Sequence, residues 1–443
     1  MHGFQPTASC ATLVEGRRTT GDVVRIGGRV RRTADRGTVL ADGRVFLPIY
    51  FVPGREVVLP EAAWVGVEGR WNAARGCVEE AQVLYVQPAC LSPIEASFLG
   101  LPEADFVCDP ERLAAVEDRA RLLQWVRWFL DAHGFLEVQT PFLRVAPEIA
   151  FLQQYETRAF DGRTLYLRTD PEEYLKRYLT AGLDAVYEIS TNVRGDRPDA
   201  DRLQEFTSLE CYKRFWTFGD VVTTCGELVA GALTALRGAT MTCLHGREVD
   251  LTPPIAVRAF GELVLQYTGI ELTRYPTAAS LAEAVCQLGW QGQNEAPFGG
   301  FRRMWLEWLF EYRVVPQIDR ATFVVDFPSQ LALSYRTDPE SANVCFRGEL
   351  ILPGGLELCH VYENLTDAVA LRTQYEERLA YRVAGGFQSV AIDEGLMSSL
   401  ELGMPPMGGM AVGLDRLLLL IRGKGIVGDG LLFPREGFTN GVE

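Results

Sequence analysis

Two runs of eight residues, YEISTNVR at 187–194 and EFTSLECY at 205–212, limit the possible folds of this chain more than any others. Side chains along a strand alternate between faces. In the first run Glu188, Ser190, Asn192 and Arg194 fall on one face, and Tyr187, Ile189, Thr191 and Val193 on the other. In the second, Phe206, Ser208, Glu210 and Tyr212 share a face opposite Thr207, Leu209 and Cys211. The loop between them, GDRPDADRLQ, is charged. Joined as a hairpin, the two strands give one sheet wall of Arg, Asn, Glu, Tyr and an aromatic ring, backed by an apolar surface. A half-exposed antiparallel sheet with a solvated outer face has the same pattern, so the hairpin alone leaves its use open.

The rest of the chain fits around such a sheet. A helix is expected over about 111–133, where Leu113, Val116, Ala120, Leu123, Val126 and Leu130 recur at helical spacing before Gly134. Strands are expected at 135–138, 165–168, 322–326 and 346–364, and helices at 172–181, 218–236, 256–268, 278–288, 301–313 and 367–384. The chain closes on a glycine-rich strand, 408–413, running into the apolar helix 414–422. Hairpin-joined strands with helices packed on them indicate α+β with an antiparallel sheet flanked by helices. Ahead of this, four alternating runs between Val23 and Val86 are separated by turn signals such as Asp42-Gly43 and Pro53-Gly54. They suit a small OB-like β-barrel. Three regions follow: a barrel domain at 1–90, a Pro- and Gly-rich linker at 91–110, and a large domain at 111–443.

Composition excludes several classes. The 443 residues are 47% hydrophobic and 23% charged, which rules out a mostly disordered or fibrous chain. No stretch reaches the roughly 18 uncharged apolar residues that cross a bilayer, and the N-terminus lacks the basic-then-apolar order of a secretory signal. A soluble, cytoplasmic protein with no membrane partner is expected. Net charge is −15, from 58 acids and 43 bases. Non-specific nucleic-acid binding needs a basic footprint, and residues 1–90 hold eleven Arg against nine acids. Ten scattered Cys without a CxxC pair, with only four His, argue against zinc and against a disulfide framework. Buried, reduced thiols are expected instead.

Two further segments carry chemistry. In GMPPMGGMAVGLDRLLLLI, a strand of small residues lets another group approach the backbone closely. Arg416, in the first turn of the apolar helix behind it, is expected to face an anion. In ELILPGGLELCHVYENLTD, Glu349 and Glu357 stand in an otherwise apolar stretch. Paired carboxylates of this kind hold Mg²⁺ together with substrate phosphates.

Taken in order, five segments resemble the class II aminoacyl-tRNA synthetases, in particular the lysyl-tRNA synthetase branch with its elongation-factor-P lysyl ligase paralogues. They are GFLEVQTP (134–141), YLRTDPEEYLKR (166–177), VYEISTNVRGDRPDADRLQEFTSLECY (186–212), GGLELCHVYENLTD (354–367) and GMAVGLDRLLLL (409–420). The resemblance implies a homodimer built through the first segment. It also implies ATP-dependent formation of an aminoacyl-adenylate, with ATP and Mg²⁺ as cofactors. By that resemblance Arg194 and Arg416 are the catalytic residues, gripping the α- and γ-phosphates. Asp196, Arg202 and Phe206 complete the ATP site, with Phe206 on the adenine. Glu349 and Glu357 hold the metal. Glu172 takes the α-amino group of the amino acid, and Glu210 and Tyr212 reach its distal ammonium, beside His360, Tyr362 and Asn364.

The sequence departs from the family pattern at two places in that pocket. His360 stands where Asn is usual, and Asn364 where a second Glu faces the distal ammonium. A one-residue bulge would bring Glu363 into the latter place instead. Near the ATP site, RGD replaces the usual Arg-Asn-Glu. The expected substrate is a lysine-like, basic amino acid, and the acceptor a protein, a small molecule or tRNA. The small, weakly basic N-terminal domain and the altered pocket favour a paralogue acting on a protein or small molecule over a tRNA-charging enzyme. A non-catalytic regulatory module is the third reading, against which the retained Arg194, Arg416, Glu349 and Glu357 speak. Phe46, Tyr50 and Phe51 are placed in the barrel core ahead of a role in stacking bases.

Overall fold

The computed structural model describes residues 5–16, 18–33, 37–42, 45–53, 57–60, 62–87, 110–148, 154–289, 301–332, 334–341, 343–384 and 390–431. The expected linker lies almost wholly outside them. Two compact units are present, one reaching to Glu117 and the other running from Asp118 to Gly428.

The first unit is a closed barrel of five strands, β1 (Val23–Thr33), β2 (Gly37–Asp42), β3 (Val45–Phe51), β4 (Trp64–Asn72) and β5 (Cys77–Gln87), in the order β1-β2-β3-β5-β4. Alternation explains its core: Val24, Ile26, Val30, Leu40, Leu47, Ile49, Val65, Val67 and Val78 turn inward. Gly69 is required where β4 crosses β5, because a side chain there would lie 2.5 Å from Val78 Cγ1. The aromatic expectation fails here. Phe46 and Tyr50 are on the outside, 37% and 42% exposed, and only Phe51 packs partly against the core. Alternation is again the reason, since Leu47 and Ile49 take the inward positions between them.

The second unit is built on an eight-stranded sheet. Its strands are β6 (Leu136–Glu137), β7 (Ala185–Val193), β8 (Glu205–Arg214), β9 (Ala256–Ala259), β10 (Thr322–Val325), β11 (Arg347–Ile351), β12 (Glu357–Glu363) and β13 (Met407–Gly413). The order is β9-β10-β11-β12-β13-β8-β7-β6. All pairings are antiparallel except the two at the edges, β9 with β10 and β7 with β6. The helices that matter for the site are α1 (Pro110–Ala132), α2 (Glu172–Thr180), α3 (Phe218–Arg237), α4 (Ala368–Ala384) and α5 (Leu414–Arg422).

Two expected elements are divided. The helix at 256–268 begins as strand β9 and turns helical only at Phe260, and the strand at 346–364 is a hairpin, β11 and β12. Gly354 and Gly355 make that hairpin turn with φ of +98° and +94°, which only glycine adopts without strain.

The back of the sheet is the main core. Leu209, Cys211, Cys359, Val361, Met410 and Val412 pack there with Val221, Leu228 and Val229 of α3 and Val126 and Leu130 of α1. Helix α3 is long and apolar enough to span a bilayer. Its apolar residues are spent on this contact, eight of them being buried, and it begins on a capping box of Thr217 and Asp220 and ends on Gly238 at φ +78°. Most described cysteines are free and buried, as expected, but Cys243 and Cys286 are exposed.

Candidate active site

The front of the sheet is polar and nevertheless buried. Glu188, Ser190, Asn192, Ser208 and Glu210 are each 6% exposed or less, so this is not a solvated outer face. Burial of this much polarity requires partners. Asn192 donates to Ser208 Oγ at 2.7 Å and to Ser190 Oγ at 3.0 Å. Glu188 accepts from Arg168 Nη1 at 2.7 Å and from the Thr140 N–H at 3.1 Å, which ties the 134–141 segment to the floor.

Strand register lines the floor up in rows. One runs Glu188, Glu210, Ala411, His360, Glu349 across five strands. The next runs Val186, Tyr212, Gly409, Tyr362, Arg347. The middle strand thus contributes only small residues and leaves a trough. Gly409 is obligatory there: a Cβ would lie 2.6 Å from the Tyr212 ring and 3.0 Å from that of Tyr362. The close approach expected over this strand is made by those two tyrosines, whose hydroxyls hydrogen-bond to each other across it.

At one end of the trough stand the two arginines. Arg194 rests its guanidinium over the Phe206 ring, 5.0 Å from the centroid, with Nε 3.4 Å from the Thr169 carbonyl. Arg416 folds back over Gly413 and donates to the carbonyls of Asp201, at 3.1 Å, and Glu357, at 2.6 Å. Asp415 beside it turns the other way, accepting from the Thr207 N–H at 2.7 Å and pairing with Arg119, which fixes α5 to β8. The β7–β8 loop links the pair, since the Arg194 N–H donates to the Gln204 carbonyl at 2.7 Å. Among the described residues neither guanidinium is hydrogen-bonded to a carboxylate; the nearest, Glu357 Oε2, is 3.9 Å from Arg416 Nη1.

The other expected members of this end are looser. Arg202 is exposed on the loop, 3.9 Å from Asp199, and Asp196 is exposed with its carbonyl accepting from Gln204 at 3.1 Å. Glu349 is ion-paired with Arg347; burial pushes its carboxyl up to about 7, with Glu357 adding to the rise against the pull of Arg347. No cluster of three His, Cys, Asp or Glu sized for a metal occurs among the described residues. Two carboxylates on neighbouring strands therefore fit Mg²⁺ that arrives with phosphates, which keeps most of its other ligands, rather than a self-sufficient metal cage.

The other end is closed by side chains. Glu172, on the first turn of α2, accepts from Lys176 Nζ and, at 2.9 Å, from Ser334 Oγ. Burial raises its carboxyl, and the Lys176 and Ser334 contacts bring it back below the usual range. Lys176 Nζ stands 6.0 Å from the Tyr212 ring centroid. Glu210 accepts from Tyr212 Oη at 3.2 Å; burial, with Asp170 and Glu172 close by, lifts its carboxyl well above the ordinary range. His360 is kept well below its ordinary pKa by burial next to Arg347 and Arg194, so its ring is neutral, and its Nε2 has no partner. Tyr335 stacks on Tyr362, 5.0 Å between centroids, and meets His360 edge-on.

The bulge that would bring in Glu363 does not occur. Register is unbroken from Cys359 to Glu363 against β13, and Glu363 pairs with Arg336 at 2.7 Å. Asn364 keeps the floor-side position. Sequence reasoning missed Lys176, Ser334, Tyr335, Arg347 and Arg378 in this pocket. Only Lys176 carried a signal, its i,i+4 spacing from Glu172 on one helix face.

A family model for tRNA synthetases class II (D, K and N) matches residues 104–437, three quarters of the chain. The chain belongs to the class II tRNA synthetases. Within this family it is 32% identical over 332 residues to a lysine–tRNA ligase of Pelotomaculum thermopropionicum, a match covering 74% of this chain and 65% of that protein. It is 30% identical over 385 residues to a lysine–tRNA ligase of Moorella thermoacetica, covering 84% and 77%. A lysine–tRNA ligase of Chloroflexus aurantiacus is 30% identical over 331 residues, covering 74% and 66%. The chain thus spans about two thirds of the length of some of these relatives. Of this class II synthetase's motif segments, the described residues place the hairpin, the glycine-rich strand and the segment 354–367 on one continuous floor.

Proposed function

We propose that the protein is an ATP-dependent aminoacyl ligase that activates a lysine-like amino acid and passes it to an acceptor. The observation that carries this is the pair Arg194 and Arg416, two guanidiniums at one end of a trough, each parked on backbone carbonyls instead of carboxylates. A guanidinium so held is ready for an anion and matches phosphate bidentately. In the reaction a carboxylate oxygen of the amino acid attacks the α-phosphorus of ATP. The bond to the bridging oxygen breaks and pyrophosphate leaves. Little proton transfer is needed, so positioning and charge neutralisation do the catalysis. Arg194 serves the α-phosphate and the substrate carboxylate, Arg416 the γ-phosphate, and Phe206 the adenine. Asp196 and Arg202 lie on the loop that would close over the nucleotide. Glu349 and Glu357 would hold Mg²⁺, which supplies charge neutralisation on the phosphates when bound. Glu172 receives the α-amino group, and Glu210, Tyr212 and Tyr362 line the side-chain end.

For the acceptor, tRNA has support from the lysine–tRNA ligase relatives and from the barrel surface. There Arg75 lies over exposed Tyr50, 5.1 Å from the ring centroid, and Arg29 over exposed Trp64 at 5.2 Å. Aromatic faces beside cations suit unpaired bases. A protein or small-molecule acceptor is favoured instead by His360 and Asn364 in the pocket. A soluble cytoplasmic homodimer joined through 134–141 completes the reading. Amino-acid-dependent ATP–pyrophosphate exchange tests the ligase, and its absence with every amino acid would return the protein to a non-catalytic role. Transfer of labelled amino acid to bulk tRNA then decides the acceptor.

A further inference from the structure

Asn364 is 2% exposed, and neither Oδ1 nor Nδ2 has a hydrogen-bond partner. Its N–H donates to the Met407 carbonyl at 3.0 Å, continuing the register of β12 with β13, so its side chain shares a face with His360 and Tyr362. It is also bridged to Tyr335, the ring stacked on Tyr362. A buried carboxamide left without partners is destabilising. Asn offers a donor and an acceptor together, so the ligand that relieves it must offer both in return. An ammonium has donors only, and a carboxylate acceptors only.

Glu172 is already engaged, accepting from Lys176 and Ser334. Glu210, already accepting from Tyr212, remains an acceptor for a substrate N–H.

We propose that the side chain of the activated amino acid ends in a neutral amide or urea group, not in a free ammonium. Its carbonyl accepts from Asn364 Nδ2, and its N–H donates to Asn364 Oδ1 or to Glu210. This rests on the ligase reading above and narrows the substrate from lysine-like in reach to amide-ended. The chain beyond the α-carbon keeps a lysine-like length.

Pyrophosphate exchange on the full-length protein tests it with lysine, Nε-acetyl-lysine and homocitrulline. The expected kcat/KM is about ten- to a hundredfold higher for one of the amide-ended substrates than for lysine, the size of one unmatched buried polar group. Asn364→Glu should reverse that preference, and Asn364→Ala should bring the ratio towards one. Thermal melting of each variant shows whether it is folded, and the wild-type ratio stands on its own if one is not. Preference for lysine in the wild-type protein overturns this proposal and leaves the ligase reading intact. A ratio unchanged in both folded variants also overturns it. Exchange with no amino acid at all overturns the ligase reading, and this proposal with it.

Discussion

The two ends of the trough are built on opposite plans. At the phosphate end, cations sit on main-chain carbonyls of Thr169, Asp201 and Glu357. At the amino-acid end, Glu172, Lys176, Ser334, Glu210, Tyr212 and Tyr362 satisfy one another through side chains. A carbonyl that loses one guanidinium contact stays anchored in its own backbone, whereas a buried side-chain network must exchange bonds one for one with whatever enters. On the function proposed above, the first plan suits a polyphosphate. The second discriminates.

The sharpest way to break this contrast is at the phosphate end. Arg194→Ala should lower pyrophosphate exchange by about a thousandfold, as loss of a group that meets developing charge does, with little change in thermal stability. A variant with normal exchange would remove Arg194 from the site. Arg416→Lys is expected to be next in size. It keeps the charge but cannot reach two carbonyls at once, so the KM for ATP should rise by roughly tenfold while the KM for the amino acid stays put. Equal rises in both would mean that the two ends are not separable.

At the other end, Lys176→Met should act on stability and amino-acid binding together. Removing one partner of a buried ion pair leaves a charge behind and costs about 3–5 kcal/mol. Chemical denaturation should show that loss, and the KM for the amino acid should rise without a matching rise for ATP. An unaltered melting curve would mean that Glu172 is held by Ser334 alone. The smallest effect serves as a control. Thr217→Ala removes the cap of α3, which lies behind the sheet, and should cost about 1 kcal/mol while leaving the ratio of the two KM values unchanged. The Thr217 side-chain and backbone bonds hold Asp220 below the usual carboxylate range. Its contribution is therefore present at neutral pH and fades as pH falls through that lowered value. Loss of the same increment at every pH would show that Asp220 has no part in the cap.

This contrast also explains what the sequence made legible. The phosphate end is local: Arg194 lies on the β7–β8 hairpin with Phe206 and the loop, and Arg416 directly follows the strand paired to it. Alternation and a glycine-rich run put both on the polar floor, and the resemblance to the synthetase family supplied their expected roles. The amino-acid end gathers residues from helix α2, from Ser334 and Tyr335, from β11 and from α4. No period within one segment brings Lys176, Ser334 and Arg378 together; the sheet order does, and sheet order is a product of long-range packing. The same limit applied to the barrel, where the outward turn of Phe46 and Tyr50 follows from which neighbours on β3 claim the interior.

Gly409 has a consequence of its own. The tyrosine rings on either side come together only because the strand between them carries a bare hydrogen at that point. The calibre of the cleft is therefore governed from beneath, by a residue that no bound molecule needs to contact. Widening it by a single carbon would part the rings, break the hydroxyl bridge and change which molecules fit. The meeting of the two rings depends on a methyl group that was left out.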